Sequence, residues 1–518
     1  MRILLLTPKF PESFWGLNRI QSITGKDYVT PTLALPTLAA LAPSRHDIVL
    51  VDENVEEIDF DLPCDLVGIS CMSVQGPRAF EIAAAFRTRG RIVVMGGGCP
   101  TLNSDLCRPH ADVLFLGEAE RTWPKFLADF ENGSWSHTYE EKEKIDMKDL
   151  PVPRFDLLKM DRYFIQAVQF SRGCPHNCEF CDIIVMLGRK VRTKAIPQLL
   201  AEIEEIYRLG GRRIFIVDDN FIGNRKKAKE VLAAIRDWNA SKGFEVMFNT
   251  ESTLDVANDD ELLKLFHDAR FVRLFIGIET PRRASLEETN KYMNLQYSIQ
   301  DQIQKVQAYG IQITAGMIVG FDNDDESIFE EHRSFLEASR IPQVMSGMLQ
   351  APPRTPLHER LMREGRLYGE FMGDQFLTTN IVPKGMTREK LLQGYAELLV
   401  DLYDYDRYAA RTIAFLTATR KCEPLQPKKK SWTDLKTLAK FMFYVLFRDT
   451  AERRRFARRI LKATWSAYPV RLPEAVYLIV VHRHFHEFSK MCAKNIMDAL
   501  ASGTEEVSYG TSTQQAIA

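Results

Sequence analysis

The run Ser171-Arg172-Gly173-Cys174-Pro175-His176-Asn177-Cys178-Glu179-Phe180-Cys181 constrains this chain more than any other stretch of its 518 residues. C-x3-C-x2-C supplies three thiolates, one fewer than a cubane iron-sulfur cluster takes when it only carries electrons. A cluster held this way keeps one iron open for a small molecule, so the spacing points to a centre that does chemistry on what it binds. Structural zinc is the competing reading, and it wants four ligands in two close pairs. His176 lies between Cys174 and Cys178, too near in sequence to be a comfortable fourth, and no second Cys/His pair follows. A disulfide framework suits short secreted chains rather than one of this length with nine scattered cysteines. Cys64, Cys71, Cys99, Cys107, Cys422 and Cys492 form no second close motif and read mostly as small buried apolar residues.

Cys174, Cys178 and Cys181, with Phe180 before the last, resemble the signature of the radical S-adenosylmethionine superfamily. The resemblance implies a 4Fe-4S cluster on the three thiolates and S-adenosylmethionine chelated at the open iron. It further implies one-electron cleavage of that cosubstrate to methionine and a 5'-deoxyadenosyl radical, which takes hydrogen from carbon beyond the reach of side-chain acids and bases. A small electron carrier such as flavodoxin or ferredoxin is the expected partner.

The length suggests about three domains on a prior of ~150 residues each. Hydrophobic residues make up 45%, charged residues 26%, and the net charge is -1, so no polyanion is implied and nucleic acid is not an expected partner. The opening apolar run stops at Pro8 and Lys9, too short for a signal peptide, and reads as a first strand. The longest uncharged apolar stretches, 441–447 and 475–481, fall below the ~20 residues a membrane span needs. The expected setting is the cytoplasm, with contact at the inner membrane if the basic helices described below reach it.

The first segment, residues 1–150, alternates short apolar strands with helical stretches. Residues 3–7, 47–52, 66–70 and 92–95 read as buried parallel strands of a doubly wound, Rossmann-like α/β domain. Gly96-Gly97-Gly98 follows the last of these, where such sheets bind ligands and where glycine lets a backbone come close. A tight strand-to-helix turn accounts for an isolated glycine triplet equally well. Asp52-Glu53-Asn54, Ser70 with Ser73, and Leu116-Gly117-Glu118 also fall at strand ends, and together these runs resemble the cobalamin-binding domain found ahead of many radical enzymes. The resemblance implies Asp52, Glu53, Asn54, Ser70, Ser73, Gly96, Gly97, Gly98 and Glu118 as cofactor contacts. The common form of that domain carries Asp-x-His-x-x-Gly, whose histidine ligates cobalt; here Asp52 is followed by Glu53-Asn54-Val55-Glu56-Glu57. Cobalamin bound here would have no histidine below it from this motif, and a domain that had lost the cofactor would show the same departure.

Residues 155–375 repeat strand then helix six times. Residues 167–171, 213–217, 245–249, 273–277, 313–319 and 343–349 are the strands, with amphipathic stretches such as 196–209 and 225–239 between. Repeated βα units give a parallel sheet, and six of them a partial (β/α)6 barrel whose site lies at the carboxyl ends of its strands. By resemblance, Asp219, Asn220, Glu251 and Glu279 would contact the ribose or methionyl groups of S-adenosylmethionine. Gly316, Ile318 and Gly320 match a GxIxG run packed near its adenine. Turn formation and strand-end capping are the alternative for the acidic residues. Gln350, past the sixth strand, is a candidate substrate contact.

From about 376 the character becomes helical, through 500. Residues 387–411 read as one helical run and 425–431 as a linker. Residues 435–447 and 451–466 interleave aromatic and aliphatic side chains with Arg448, Arg453, Arg454, Arg455, Arg458, Arg459 and Lys462. Basic amphipathic helices lie in membrane interfaces or meet anionic partners, and a solvated helix face is the alternative. His482, His484 and His486 alternate, which reads as no shared helix face and no ligand set. Residues 501–518 are rich in Ser, Thr and Gln and read as a disordered tail.

Val217-Asp218-Asp219-Asn220-Phe221, Phe275-Ile276-Gly277-Ile278-Glu279-Thr280-Pro281, Leu349-Gln350-Ala351-Pro352-Pro353 and Asn380-Ile381-Val382-Pro383-Lys384 resemble the cobalamin-domain radical enzymes, the group that includes the hopanoid C-2 methylase. The resemblance implies methylation of an unactivated carbon of a lipid or secondary metabolite. Two other readings stay open: cobalamin-independent radical coupling, cyclisation or oxidation, and a non-catalytic binding protein with a structural cluster.

Overall fold

The computed structural model describes residues 1–418, 420–425, 427, 443, 445 and 449–503. Most of the expected linker at 425–431, most of the stretch 435–447 with Arg448, and the tail from 504 onward lie outside the described residues.

The first layer is a parallel sheet of β1 (Arg2–Thr7), β2 (Asp47–Asp52), β3 (Leu66–Ser70), β4 (Ile92–Gly96), β5 (Val113–Leu116) and β6 (Thr138–Glu140). Their order is β2-β1-β3-β4-β5-β6. The strands read as unbroken apolar runs because both faces are covered: Leu4, Leu6, Val67 and Ile69 pack on one side, Ile3, Leu5, Leu66 and Val94 on the other. β5 and β6 join the four expected strands; at four and three residues they are too short to show a period. Propagation reverses between β1 and β3, and the crevice beyond the carboxyl ends at such a switch point is where open α/β sheets bind ligands.

The second sheet runs in order β14-β13-β12-β11-β10-β7. Its strands are β7 (Gln166–Val168), β10 (Arg213–Ile216), β11 (Met247–Ser252), β12 (Phe271–Glu279), β13 (Gln312–Val319) and β14 (Gln343–Met348), while β8 (Ser171–Arg172) and β9 (Arg192–Thr193) form a separate antiparallel pair. All six strands of the larger sheet pair in parallel, as a partial barrel requires. The fourth strand runs two residues longer at each end than expected, and two others differ for reasons the backbone shows. The stretch 167–171 splits, because Ser171 and Arg172 leave the sheet to pair with β9. The third strand starts at 247 and not 245, because Gly243 and Phe244 both hold positive φ and keep the chain in a turn.

The open barrel has two bare edges, and each is covered. The hydroxyl of Tyr403 donates to Val344 O at 2.6 Å and accepts from Val344 N at 3.0 Å, and Tyr395 donates to Ser346 O at 2.9 Å, so two helical tyrosines satisfy β14. On the other side Tyr28 bridges Tyr163 and Ile165 N donates to Val29 O at 2.8 Å. Residues 8–33, which leave β1, thus cross from the first sheet to the barrel, where Phe14 stacks on Phe485 of the Leu472–Ser502 helix at 4.4 Å.

The expected single helix at 387–411 is two, Arg388–Leu402 and Tyr405–Thr417, because the Asp404 carboxylate caps the N–H groups of Asp406 and Arg407 and starts a new helix. His482 and His486 do share a face, correcting the reading from alternation. They stand four apart, and each has a ring nitrogen 2.9 Å from Tyr403 O, while His484 turns to Ser13 O at 3.0 Å. No helix among the described residues is long and apolar enough to cross a membrane.

Candidate functional site

The cysteine loop leaves the first barrel strand and is held by the end of the second. Asp218 accepts from Phe170 N at 2.7 Å, Ser171 N at 2.9 Å and the Ser171 hydroxyl at 2.6 Å. Asp219 accepts from Gly173 N at 3.1 Å. Gly173 must be glycine: φ is +89°, and an added Cβ would stand 2.8 Å from Gly188 O and 2.9 Å from Lys190 O. Cys178 is buried and Cys174 and Cys181 are half-buried. Burial pushes all three thiols up, so they are protonated when free and give up protons to a metal.

Three thiols on one loop match the donor count of a cluster that keeps one iron open, where a structural zinc site takes four ligands. Asn220 turns its amide nitrogen toward Cys174 Sγ at 3.8 Å, and its carbonyl oxygen is buried with no partner. Buried orphan acceptors are rare, and one beside the cysteine loop is open to a ligand's donor.

Strand register collects the remaining candidates on one face. Phe215 pairs with Asn249, Glu251 with Phe275, Phe275 with Thr314, and Gly316 with both Gly277 and Met345. Phe215, Asn249, Glu251, Phe275 and Met345 keep partial exposure, while the alternating Ile214, Ile216, Phe248, Leu274 and Ile276 are fully buried against the helices. The inward face therefore borders open space. Burial, reinforced by neighbouring Asp219 and Asp218, lifts Glu251 to about 8; burial likewise lifts Asp218 to about 7 and Asp219 to about 6. Three carboxyls raised by burial thus gather at the strand ends beside the cysteine loop.

Glu279 sits at a register shift between β12 and β13, with φ +67°. Its carboxylate meets Lys291 Nζ at 2.7 Å, both side chains nearly buried. Burial alone would lower Lys291, but Glu279 and the nearby Cys178 outweigh it and hold the ammonium protonated. Lys291 carries no motif, and nothing in the sequence singles it out. A Cβ on Gly316 would lie 2.9 Å from the Phe275 ring, and Gly320, at φ +105°, donates its N–H to Asp324 at 2.9 Å. Ile318 and Phe180 pack together beside Phe321 and Leu349, so the GxIxG strand and the cysteine loop share one apolar wall. Gln350 donates to Asp374 O at 3.2 Å and Thr378 O at 2.7 Å, bracing the loop above the barrel.

The carboxyl edge of the first sheet abuts this end of the barrel. Asp52 accepts from the Tyr163 hydroxyl at 2.7 Å, Arg354 donates to Thr101 O at 3.1 Å, and Glu118 pairs with Arg172 at 2.8 Å and Arg192 at 2.9 Å. A Cβ on Gly98 would meet Met72 Sδ at 3.3 Å and Met186 Sδ at 3.7 Å, the latter from the helix just past Cys181. A Cβ on Gly373 would touch Ser73 at 3.2 Å.

These contacts sort the candidates of the first domain. Glu118 binds two arginines of the second domain and so locks the domains together. Asp52 accepts from Asn54 as well as Tyr163, Glu53 is gripped by Arg78, and Asn54 accepts from Phe10 N at 2.9 Å. All four are engaged within the protein. What stays open at the strand ends is Gly97, exposed with φ +99°, half-buried Ser70 and Gly96, and Met72, which is 47% exposed. Facing them, Ile183, Ile184, Val185, Met186 and Leu187 keep partial exposure. Bare backbone thus lies on one side of this contact and a half-buried apolar helix on the other.

Besides Lys291, two features escaped the sequence. Cys71, Cys99 and Cys107, distant in the chain, gather behind the glycine turn, with Cys99 Sγ 3.5 Å from Cys107 Sγ. Trp15, on the crossing segment, places its ring edge-on to Phe275 at 5.1 Å yet stays 44% exposed, lining the barrel's open side.

Comparison with known proteins agrees with this geometry. Residues 168–336 match the radical SAM superfamily and residues 355–498 a domain of unknown function (DUF4070). An uncharacterized methyltransferase of Synechocystis sp. is 39% identical over 450 residues, 85% of this chain and 83% of that protein. The hopanoid C-2 methylase of Rhodopseudomonas palustris is 31% identical over 449 residues, 84% of this chain and 83% of that protein. Among solved structures, the radical S-adenosylmethionine methyltransferase TsrM from Kitasatospora setae, with tryptophan and a SAM analog bound, has a TM-score of 0.56 at 14% identity, over 70% of this chain and 76% of that one. The same protein was also solved with cobalamin and a [4Fe-4S] cluster.

Proposed function

Because the chain belongs to the radical S-adenosylmethionine superfamily, among the methyltransferases that include the hopanoid C-2 methylase, we propose that it methylates an unactivated carbon of an apolar, polycyclic acceptor with the help of cobalamin. Membership implies a 4Fe-4S cluster and S-adenosylmethionine as cofactors. When bound, the cluster supplies one electron and an open iron to chelate the methionyl end of S-adenosylmethionine.

The chain's own residues do the positioning. Cys174, Cys178 and Cys181 hold the cluster; Asp218 and Asp219 pin the loop that carries them. Asn220 and Glu251 offer polar atoms to the methionyl and ribose groups, and the Phe275 ring lying over the bare backbone of Gly316 offers an apolar face to the base. Glu279 is held by Lys291, so it presents a fixed acceptor rather than a mobile carboxylate. Pro175 and Asn177 of the cluster loop, with Arg189 and Lys190 beside them, are exposed, leaving a path for an electron carrier of the flavodoxin or ferredoxin class.

The observation that carries the cobalamin assignment is the meeting of the glycine turn with the cysteine-loop domain at Gly98, Met72 and Met186. A methyl carrier must stand next to the radical source, and the switch-point edge of the first sheet does. The absence of a histidine after Asp52 leaves the lower face without a protein ligand from that motif. An apolar acceptor is supported by the lumen, where Trp15, Phe215, Phe275 and Met345 keep exposed surface. The hopanoid relative agrees with that class.

Protein produced with cobalamin supplied and purified without oxygen is expected to show corrinoid absorption beside the cluster's. Turnover that forms 5'-deoxyadenosine in protein that never takes up corrinoid would overturn the cobalamin assignment in favour of cobalamin-independent radical chemistry.

A further inference from the structure

The Ala451–Ala467 helix was read from sequence as amphipathic and fit to lie in a membrane interface. Its apolar face does not face outward: Phe456, Ala457, Ile460 and Thr464 are buried, with Phe456 packed on Tyr405 and on His482 of the long C-terminal helix. What the helix shows to solvent is a cationic stripe ending in an aromatic.

Arg455, Arg458, Lys462 and Trp465 are all exposed, Trp465 at 66%, the most of any large hydrophobic side chain among the described residues. At 3.6 residues per turn these four positions fall within an arc of about 80° and run about 15 Å along the axis. Neighbouring Arg453 is drawn into the protein by Glu487 at 2.7 Å, and Arg459 is neutralised at the surface by Asp406 at 2.6 Å. Arg455, Arg458 and Lys462 make no ion pair with any described residue, so their charge is directed outward. In a chain of net charge -1 this is a local feature and not a general basicity.

The two-thirds exposed tryptophan stands at the end of the cationic stripe, on the same face. An anionic bilayer matches both parts at once: cations meet lipid headgroups, and tryptophan prefers the boundary between headgroup and acyl chain. We infer that this helix face is a peripheral docking surface for an anionic membrane, held by Arg455, Arg458 and Lys462 and anchored by Trp465. The inference is independent of the chemistry proposed above, since it uses no residue of the barrel or of the first domain.

The test is cosedimentation of the full-length, cluster-loaded protein with phosphatidylcholine vesicles, with and without phosphatidylglycerol at 30 mol percent. Each Lys or Arg near an anionic surface contributes about fivefold to partitioning, so binding to anionic vesicles should exceed neutral ones by at least about tenfold and should fall several-fold at high salt. R455E/R458E/K462E should abolish that preference while cleaving S-adenosylmethionine at the wild-type rate, which shows it is folded. Brominated lipid should quench wild-type fluorescence more than that of W465F. No preference for anionic vesicles in the wild type, full binding by the triple variant, or equal quenching in W465F would each overturn the inference. So would stronger binding to a DNA duplex of equal charge concentration than to the vesicles.

Discussion

Asn220 directs its side-chain amide at Sγ of Cys174, 3.8 Å away, while the oxygen of the same amide is buried with no partner. One residue at the end of the second barrel strand thus touches the loop that follows the first, and still has an acceptor to give. Asn220→Ala should leave iron content near wild type and weaken S-adenosylmethionine binding by about tenfold, the worth of one hydrogen bond to a charged group. Equilibrium dialysis measures this. Unchanged affinity would assign Asn220 to loop support alone.

Lys291 and Glu279 form a buried pair, and breaking such a pair from one side costs about 3–5 kcal/mol because the remaining charge is stranded. Lys291→Met should therefore lower stability in urea by that order. The double variant K291M/E279Q should recover much of the loss, since no charge is left uncompensated. A double variant as unstable as the single one would show that packing, and not charge, dominates there.

Asp218 and Glu251 carry pKa values of about 7 and 8 in the fold against model-compound values of 3.8 and 4.5. The folded state then holds protons that the unfolded chain has released. By linkage their contribution is complete below about pH 4 and is lost as pH rises through 7 to 8. The metal-free protein should grow less stable from pH 5 to 8.5, and Glu251→Gln should flatten that slope. Urea midpoints across this range test it; a slope that is absent, or that survives the substitution, contradicts the buried-carboxyl account.

How far the sequence foretold this site follows from what each residue depends on. The cysteine loop, the Asp218-Asp219-Asn220 turn and the glycines at 316 and 320 were legible because each is a local pattern tied to a strand end. Lys291 was not, because its role comes from a register shift that brings it under Glu279. Trp15 was not, because it works in the barrel although its chain leaves β1. Glu118 was placed at the right strand end, but its partners Arg172 and Arg192 lie in the other domain, where no spacing rule reaches. Even the histidines show the limit: alternation at 482, 484 and 486 hid one pair four residues apart. The gathering of Cys71, Cys99 and Cys107 likewise needs the first sheet's strand order before it can be seen.

Gly97 forms the turn between β4 and the helix that follows it, against the backbone of Cys71. Its φ of +99° and the 2.7 Å approach of an added Cβ to Cys71 O mean that Gly97→Ala must distort the turn, at a cost of about 1–3 kcal/mol. Corrinoid uptake should fall sharply in this variant while cluster content and 5'-deoxyadenosine formation persist. Parallel loss of all three would show that the turn matters for folding rather than for the cofactor.

The most direct measurement is product analysis of the reconstituted protein, kept anaerobic and supplied with S-adenosylmethionine, cobalamin, a low-potential reductant and a hopanoid-like polycyclic acceptor. The account predicts 5'-deoxyadenosine and S-adenosylhomocysteine formed together, both abolished in Cys178→Ala. Deoxyadenosine without S-adenosylhomocysteine, or methylated acceptor formed equally well by the Cys178→Ala protein, would contradict it.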